Sequence, residues 1–176
     1  LSIINDIVDI ANVESGQAKV KLTEFNLNSV LKNLSEQFSI NVKQKNVSIN
    51  LKTSLTDKES NIVSDNTKLV QILSNLINNA IKFTKNGQID FGYDLKDDFL
   101  EFFVKDTGIG ISPEYHSRIF DRFYQIDSAV SRQYSGTGLG LSICKGYVEL
   151  LGGTINVKSE SGKGTQFVFT VPYLPV

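Results

Sequence analysis

The sequence predicts an α+β domain, a two-layer sandwich in which helices cover one face of a single mixed, mostly antiparallel sheet. Helical and strand patterns occur in blocks along the chain, which is the arrangement that favours such a sandwich. The 176 residues, 40% of them hydrophobic, are enough for one well-buried core. No internal repeat or low-complexity tract suggests another architecture.

The first predicted element is a helix over 1–13, because its apolar residues recur at spacings of three and four. Ser15 and Gly16 supply a C-terminal stop. A helix this short is marginal alone, so we expect its apolar stripe to need a partner outside the chain.

From here to residue 83, strand and helix patterns alternate. A strand is predicted over 20–27 and an amphipathic helix over 27–38. Alternating apolar residues predict a half-buried strand over 47–51, and a shorter strand follows at 62–64. Asp65 is the predicted N-cap of a long helix that runs to about Phe83.

The second half of the chain is predicted by the same rules. In chain order, we expect strands at 88–95 and 99–105 joined by a hairpin at Asp97-Asp98, a short helix at 113–119, a loop at 125–135, a helix at 139–151, and a hairpin of strands 154–158 and 166–171.

Composition excludes several classes of function. A formal charge of -1, from 18 basic and 19 acidic residues, gives no reason to expect a nucleic-acid partner. The single cysteine, Cys144, lies in an apolar helix pattern and is expected to pack in the core. No apolar run reaches the length of a membrane span. Because the chain has no methionine, we expect it to be part of a longer protein.

One face of the long predicted helix carries Asn75, Asn79 and Lys82, within an arc of about 60°. Leu69 to Phe83 supply a separate apolar face. An amide oxygen together with phosphate oxygens suits Mg²⁺, and the lysine suits a phosphate. A plain solvated face remains the alternative.

The predicted strand 99–105 ends in Asp106, which opens the segment Asp-Thr-Gly-Ile-Gly. An ionised carboxylate only accepts hydrogen bonds, so it would prefer the amino group of adenine to the carbonyl of guanine. An ordinary Asx turn is the alternative.

Two further glycine segments follow. Gly136-Thr-Gly-Leu-Gly140 leads into a helix, where backbone N–H groups favour a polyphosphate, although flexible glycines at a helix start would look the same. The loop before it contains Arg132 and has the length of a lid, about 125–137. Gly162-Lys-Gly-Thr165 alone indicates no more than a hairpin turn. His116, the only histidine, is expected to be an exposed helix residue.

With these residues placed, the chain resembles the catalytic and ATP-binding domain of a two-component sensor histidine kinase, from about Phe25 to Pro172. The resemblance implies the Bergerat ATP-binding fold. The matching segments, in the order of the family, are NLINNAIKFT (75–84), DTGIGIS (106–112), RIFDRFYQ (118–125), GTGLGLSI (136–143) and GKGTQF (162–167).

The resemblance also implies cofactors and site residues. ATP and Mg²⁺ are the expected ligands, with Asn79 on the metal and Asn75 and Lys82 on the phosphates as the catalytic pair. Asp106 would take the adenine amino group. The other implied nucleotide contacts are Gly108, Gly110, Ile111, Arg132, Gly136, Thr137, Gly138, Leu139, Gly140 and Thr165.

Residues 1–19 resemble the end of the second helix of a dimerisation and phosphoacceptor hairpin, and 20–176 the catalytic domain. The implied partners are that hairpin domain and, indirectly, a response-regulator receiver domain. The acceptor histidine motif of the family is absent from the sequence, and the domain would be cytoplasmic even if the parent protein is membrane-bound. The alternatives are an ATPase of the gyrase and heat-shock-chaperone type and a degenerate nucleotide-binding interaction module. Such ATPases carry a glutamate general base where Asn75 stands here.

Overall fold

The computed structural model describes residues 2–43, 45–126 and 136–176. The helices are α1 (Ser2–Glu14), α2 (Leu27–Asn41), α3 (Asn66–Phe83) and α4 (Gly140–Leu150), with a 3-10 helix at Pro113–Tyr115. The strands are β1 (Thr23–Asn26), β2 (Asn46–Thr53), β3 (Asn61–Ser64), β4 (Asn86–Lys96), β5 (Phe99–Asp106), β6 (Ile155–Glu160) and β7 (Gly164–Pro172).

Five strands form the main sheet in the order β2-β4-β5-β7-β6. The pair β2 and β4 is parallel, and the other neighbours are antiparallel, so the predicted mixed sheet is confirmed. Burial alternates along β5, so one face of the sheet is covered and the other is more open. Phe102 and Val104 are buried, whereas Phe103 is half-buried and Lys105 is exposed. Helices α2, α3 and α4 pack on the buried face.

The prediction of a single sheet is wrong in one respect. Strands β1 and β3 pair antiparallel with each other in a separate two-stranded sheet. The C-terminal segment joins it, since Val63 N–H donates to Leu174 O at 2.8 Å. This pairing joins segments about 40 residues apart, from Thr23↔Ser64 to Asn26↔Asn61, and local periodicity carries no information about it.

Helix α3 forms as predicted. Asp65 is its N-cap and accepts from Lys68 N at 3.0 Å, which satisfies one of the backbone donors at the helix start. The buried face of α3 fills the centre of the core, and its members are Leu69, Ile72, Leu73, Leu76, Ile77, Ala80 and Ile81.

The core is completed by side chains from the sheet. Phe102 and Phe169 stack with ring centroids 4.9 Å apart, and fully burying one such side chain contributes about 1.5–3 kcal/mol. Cys144 is buried in α4, as predicted, and burial raises the pKa of its thiol to about 12. The short helix expected at 113–119 is a 3-10 helix followed by turns.

Helix α1 ends at Glu14, close to the predicted stop, and Gly16 has a φ of +67°. The predicted apolar stripe of α1 lies on its exposed side, where Ile7 and Val8 are 47% and 51% exposed, so its need for an outside partner stays a prediction. Ile10 and Val13, which are not part of that stripe, pack against the core of this chain. Ile4 remains 65% exposed.

Candidate functional site

A cavity of about 680 Å³ opens between α3, the start of α4 and the loops that follow β5 and β6. Its size is within the usual range for a small-molecule site, about 300–1,000 Å³. It brings together most residues that the sequence predicted for a nucleotide. Those lining it are Asn75, Asn79, Lys82, Asp106, Gly110, Ile111, Gly136, Thr137, Gly138, Gly140 and Thr165.

Two of the predicted residues that the structure describes, Gly108 and Leu139, are not among the cavity lining. Gly108 lies behind it, where an added Cβ would be 2.4 Å from Phe83 O. The side chain of Leu139 is fully buried in the core, so a contact from this residue to a ligand would come from its backbone. Arg132 and most of the predicted lid lie outside the described residues.

Asp106 is the most informative side chain of the cavity. It is 7% exposed, and its Oδ1 accepts both Gly108 N–H, at 2.8 Å, and Thr165 N–H, at 3.3 Å. The bond from Gly108 is the Asx turn that sequence analysis kept open as an alternative. No donor within the described residues bonds to Oδ2, so this oxygen is available to a ligand. Burial raises the pKa of Asp106, and the two backbone bonds oppose that rise.

The loop after Asp106 packs against the turn between β6 and β7. Gly162 N–H donates to Ile109 O at 2.7 Å. A Cβ added at Gly110, where φ is +69°, would lie 2.0 Å from Glu160 O. Only glycine therefore permits this approach with that backbone conformation.

Ser159, which sequence analysis missed, links the same two segments. Its Oγ accepts from Ile111 N–H at 2.7 Å and donates to Gly164 O at 2.8 Å. It also lies 2.9 Å from Thr165 Oγ1. Because Ser159 lies within a strand of ordinary pattern, only the tertiary contacts reveal it.

On α3, the three polar residues of the predicted face are half-buried. Asn75 Nδ2 lies 3.5 Å from Gly140 O, so this amide faces the start of α4. A Cβ added at Gly136 would be 3.0 Å from Lys82 Nζ, which places the ammonium beside the second glycine segment. Burial lowers the pKa of Lys82.

The start of α4 presents backbone donors to the cavity. Leu139 has no side-chain cap bond, and the helix begins at Gly140, which lines the cavity. The first N–H groups of a helix lack partners within it and favour an anion. Gly138 has a φ of +71°, and a Cβ there would lie 2.8 Å from the Phe123 backbone, so this loop needs its glycine.

Aromatic residues also line the cavity, and one of them belongs by its helical spacing to the apolar face of α3. Phe83, assigned to the apolar face of α3, is half-buried and lines the cavity beside Asp106. Tyr115 and Tyr124 line it from the segment after β5, and Arg118 lies over the Tyr124 ring at 4.4 Å. At the end of a helix, periodicity does not separate a core side chain from one facing a ligand.

Two phenylalanines of the segment RIFDRFYQ (118–125) differ in burial. Phe120 packs edge-on against Phe167, with ring centroids 6.2 Å apart. Phe123 is 66% exposed and has a φ of +55°. His116 is half-buried rather than exposed, with Nε2 3.2 Å from Ile111 O.

Comparison with protein families decides the class. Residues 64–175 match the model of the histidine kinase-, DNA gyrase B- and HSP90-like ATPases. The chain belongs to this ATPase family. The family model covers α3, all three glycine segments and every cavity-lining residue except Asp6. The predicted fold class and the predicted resemblance are both confirmed.

Within the ATPase family, the similar proteins are sensor kinases. The chain is 38% identical over 179 residues to hybrid signal transduction histidine kinase B of Dictyostelium discoideum, covering 98% of this chain and 9% of that protein. It is 37% identical over 172 residues to sensor histidine kinase RcsC of Salmonella typhimurium, covering 98% and 18%. The chain thus spans less than a fifth of the length of these relatives.

Solved structures agree with this subgroup. Full-length ShkA, crystallised in complex with AMPPNP, superposes with a TM-score of 0.88 and 30% identity over 99% of this chain and 36% of that one. The catalytic domain of histidine kinase ThkA gives a TM-score of 0.74 and 30% identity over 87% of this chain and 96% of that domain. None of the helices in the described ranges is long and apolar enough to span a membrane.

Proposed function

We propose that this domain binds Mg-ATP in the cavity and transfers the γ-phosphoryl group to a histidine on a dimerisation domain, in two-component signal transduction. The observation that carries the proposal is the Asp106 carboxylate, whose Oδ1 accepts two backbone N–H groups while its Oδ2 accepts no hydrogen bond from the residues that the structure describes. A buried acceptor in this state selects a ligand that donates a hydrogen bond there, as the amino group of adenine does.

The opposite side of the cavity suits the triphosphate. Gly136 to Gly140 and the start of α4 supply backbone donors, and Lys82 supplies a positive charge. In this arrangement Asp106 orients the base, and the glycine segment and Lys82 hold the phosphates in line for attack. Thr165, Gly110 and Ile111 would shape the site of the base, and Arg132 would contact the γ-phosphate.

The cavity also fits Mg²⁺. In the described part of the chain, no group of three or more His, Cys, Asp or Glu side chains could hold a metal. A cation there would depend on few protein oxygens, which is how Mg²⁺ is commonly held beside phosphates. We assign the amide oxygen of Asn79, which lines the cavity, to this role. Bound Mg²⁺ would neutralise charge that develops on the phosphates.

In the transfer step, a nitrogen of the acceptor imidazole forms a bond to the γ-phosphorus, and the bond from that phosphorus to the bridging oxygen breaks. ADP leaves with the electron pair of that bond. The imidazole proton passes to a base on the acceptor domain. We assign residues 1–19 to the end of the helical hairpin of that domain, residues 20–176 to the catalytic domain, and the response-regulator receiver to a later step in the relay.

The experiment is to supply a hairpin domain that carries its acceptor histidine to this chain with labelled ATP and Mg²⁺. We expect acid-labile phosphohistidine on the hairpin and none on His116. Nucleotide binding without any transfer would favour a non-catalytic interaction module. Label on His116 would contradict the assignment of the acceptor to another domain.

The ATPase alternative makes a different prediction. Asn75 lies where related ATPases carry the general base, and a neutral amide cannot accept the proton of water at neutral pH. We expect negligible steady-state phosphate release from ATP by this chain. Sustained release that Asn75→Ala abolishes would favour the ATPase function instead.

A further inference from the structure

Helix α1 lies against the catalytic part of the chain through one face. Ile10 packs against the core, and four further contacts are spaced along the described part of the helix. They are Asp6 with Thr137, Asp9 with Gln71, Val13 with Gly146, and Glu14 with Arg122.

One of these contacts enters the cavity. Asp6 is half-buried and lines the cavity, and it accepts from Thr137 Oγ1 at 3.4 Å. Thr137 Oγ1 in turn accepts from Leu139 N–H at 3.2 Å. The docked helix therefore places a carboxylate beside the glycine segment that would face the phosphates in the proposed function. Because Thr137 donates its hydroxyl proton to Asp6, that proton is not available to a phosphate.

From these contacts we infer that α1 and a nucleoside triphosphate oppose each other's binding through Asp6. This inference rests on the proposed function, because it requires triphosphate in the cavity. Asp6 lines the cavity that would hold the polyphosphate. Two negatively charged groups repel each other, and the repulsion is stronger in a partly buried site than in water. By linkage, a docked α1 weakens nucleotide binding, and bound nucleotide weakens docking of α1 to the same extent.

The docked position is suited to reversible release. Ile10 and Val13 pack against the core, whereas Ile4, Ile7 and Val8 are 65%, 47% and 51% exposed. These three exposed side chains therefore contribute little to docking here. The remaining contacts are polar and partly exposed, and such contacts contribute little each.

The first test is Asp6→Asn, with Asp9→Asn as its matched control. Both variants remove one negative charge from α1. The amide introduced by Asp9→Asn keeps an oxygen that can accept from Gln71 Nε2, as Asp9 does at 2.8 Å, and Asp9 does not line the cavity. We expect Asp6→Asn to tighten the Kd for the Mg complex of AMPPNP several-fold, up to about tenfold. Asp9→Asn should leave it unchanged.

A reversible crosslink tests the coupling directly. Val13 Cβ lies 3.6 Å from the ideal Cβ position at Gly146, within the range of about 3.5–4.5 Å that a disulfide needs. The native Cys144 is buried, and its raised pKa of about 12 keeps it from competing. In Val13→Cys/Gly146→Cys, oxidation should weaken nucleotide binding about tenfold, and dithiothreitol should restore it. Saturating nucleotide should slow formation of the crosslink in the reduced protein.

The outcomes separate this inference from the proposed function. A wild-type chain that does not bind AMPPNP overturns both. Wild-type binding that is unaffected by Asp6→Asn and by the crosslink overturns the inference and leaves the proposed function intact. Weaker binding in Asp6→Asn would mean that Asp6 assists the ligand, as a metal ligand does, and would also overturn the inference. The inference is supported if Asp6→Asn binds nucleotide more tightly and if the Val13→Cys/Gly146→Cys crosslink no longer weakens nucleotide binding in a protein that also carries Asp6→Asn.

Discussion

In the proposed function, Asp106→Asn separates recognition of the base from the stability of the loop. Oδ1 of Asp106 accepts both backbone bonds, and the amide oxygen of the variant side chain can accept the same two. The variant replaces only Oδ2 with an amide nitrogen that donates. Truncation to alanine would instead leave the N–H groups of Gly108 and Thr165 without an acceptor, so it would confuse binding with folding.

The size of the effect follows from burial. At 7% exposure, an amide N–H that faces the amino group of adenine cannot turn to water for a partner. An unmatched donor in such a place costs about 1–3 kcal/mol, which corresponds to roughly 5- to 150-fold in Kd. The same amide can donate to the carbonyl of guanine, so the ratio of GTP affinity to ATP affinity should rise.

Isothermal titration calorimetry with AMPPNP and its guanine counterpart measures both quantities. The matched control is Asp90→Asn, because Asp90 is another buried carboxylate, 8% exposed, that does not line the cavity. Its contacts are with Asn50, Lys52 and Gln88. A folded Asp106→Asn protein with wild-type affinity, or an equal loss in Asp90→Asn, would refute the reasoning.

The two variants also differ in how stability depends on pH. Burial raises the pKa of Asp106 above its usual 3.8, so its contribution to stability is full below that value and is lost as pH rises through the folded pKa. Burial also acts to raise the pKa of Asp90, but bonds from Asn50 and Lys52 outweigh it and the pKa is lowered. That contribution is present above 3.8 and lost as pH falls. Relative to wild type, unfolding by urea should show Asp106→Asn gaining, and Asp90→Asn losing, stability from acid to neutral pH.

The cavity supports three further predictions. Asn79→Ala should remove the Mg²⁺ dependence of nucleotide binding, so that titrations with Mg²⁺ and with EDTA converge; a retained difference would contradict the metal assignment. Gly108→Ala should destabilise the fold by about 1–3 kcal/mol in urea, because its Cβ would lie 2.4 Å from Phe83 O; an unchanged midpoint would count against this contact. Ser159→Ala should weaken adenine-nucleotide binding, about fivefold for a lost hydrogen bond of about 1 kcal/mol, by releasing Thr165. Binding of inorganic triphosphate should not change in that variant, and an equal loss for both ligands would contradict a role at the base.

Local chemistry determined much of this molecule from sequence alone. Asp65 caps α3 as predicted, since an N-cap acts on backbone donors within its own first turn. Gly110 and Gly138, which lie in two of the predicted glycine segments, have a positive φ. Glycine adopts that conformation without a steric penalty, so the residue type alone indicates it. The periodicity of α3 likewise placed Asn75 and Asn79 on the cavity side of the helix.

Tertiary structure alone decided which distant segments meet. The separate pairing of β1 with β3, the link that Ser159 makes between two loops and the docking of α1 join residues that no sequence period relates. Asp6 and Thr137 are separated by 131 positions, and a carboxylate in a short amphipathic helix looks the same whether it faces solvent or a cavity. Spacing along the chain constrains geometry over a few turns of backbone, whereas contacts across the fold depend on how complete surfaces pack.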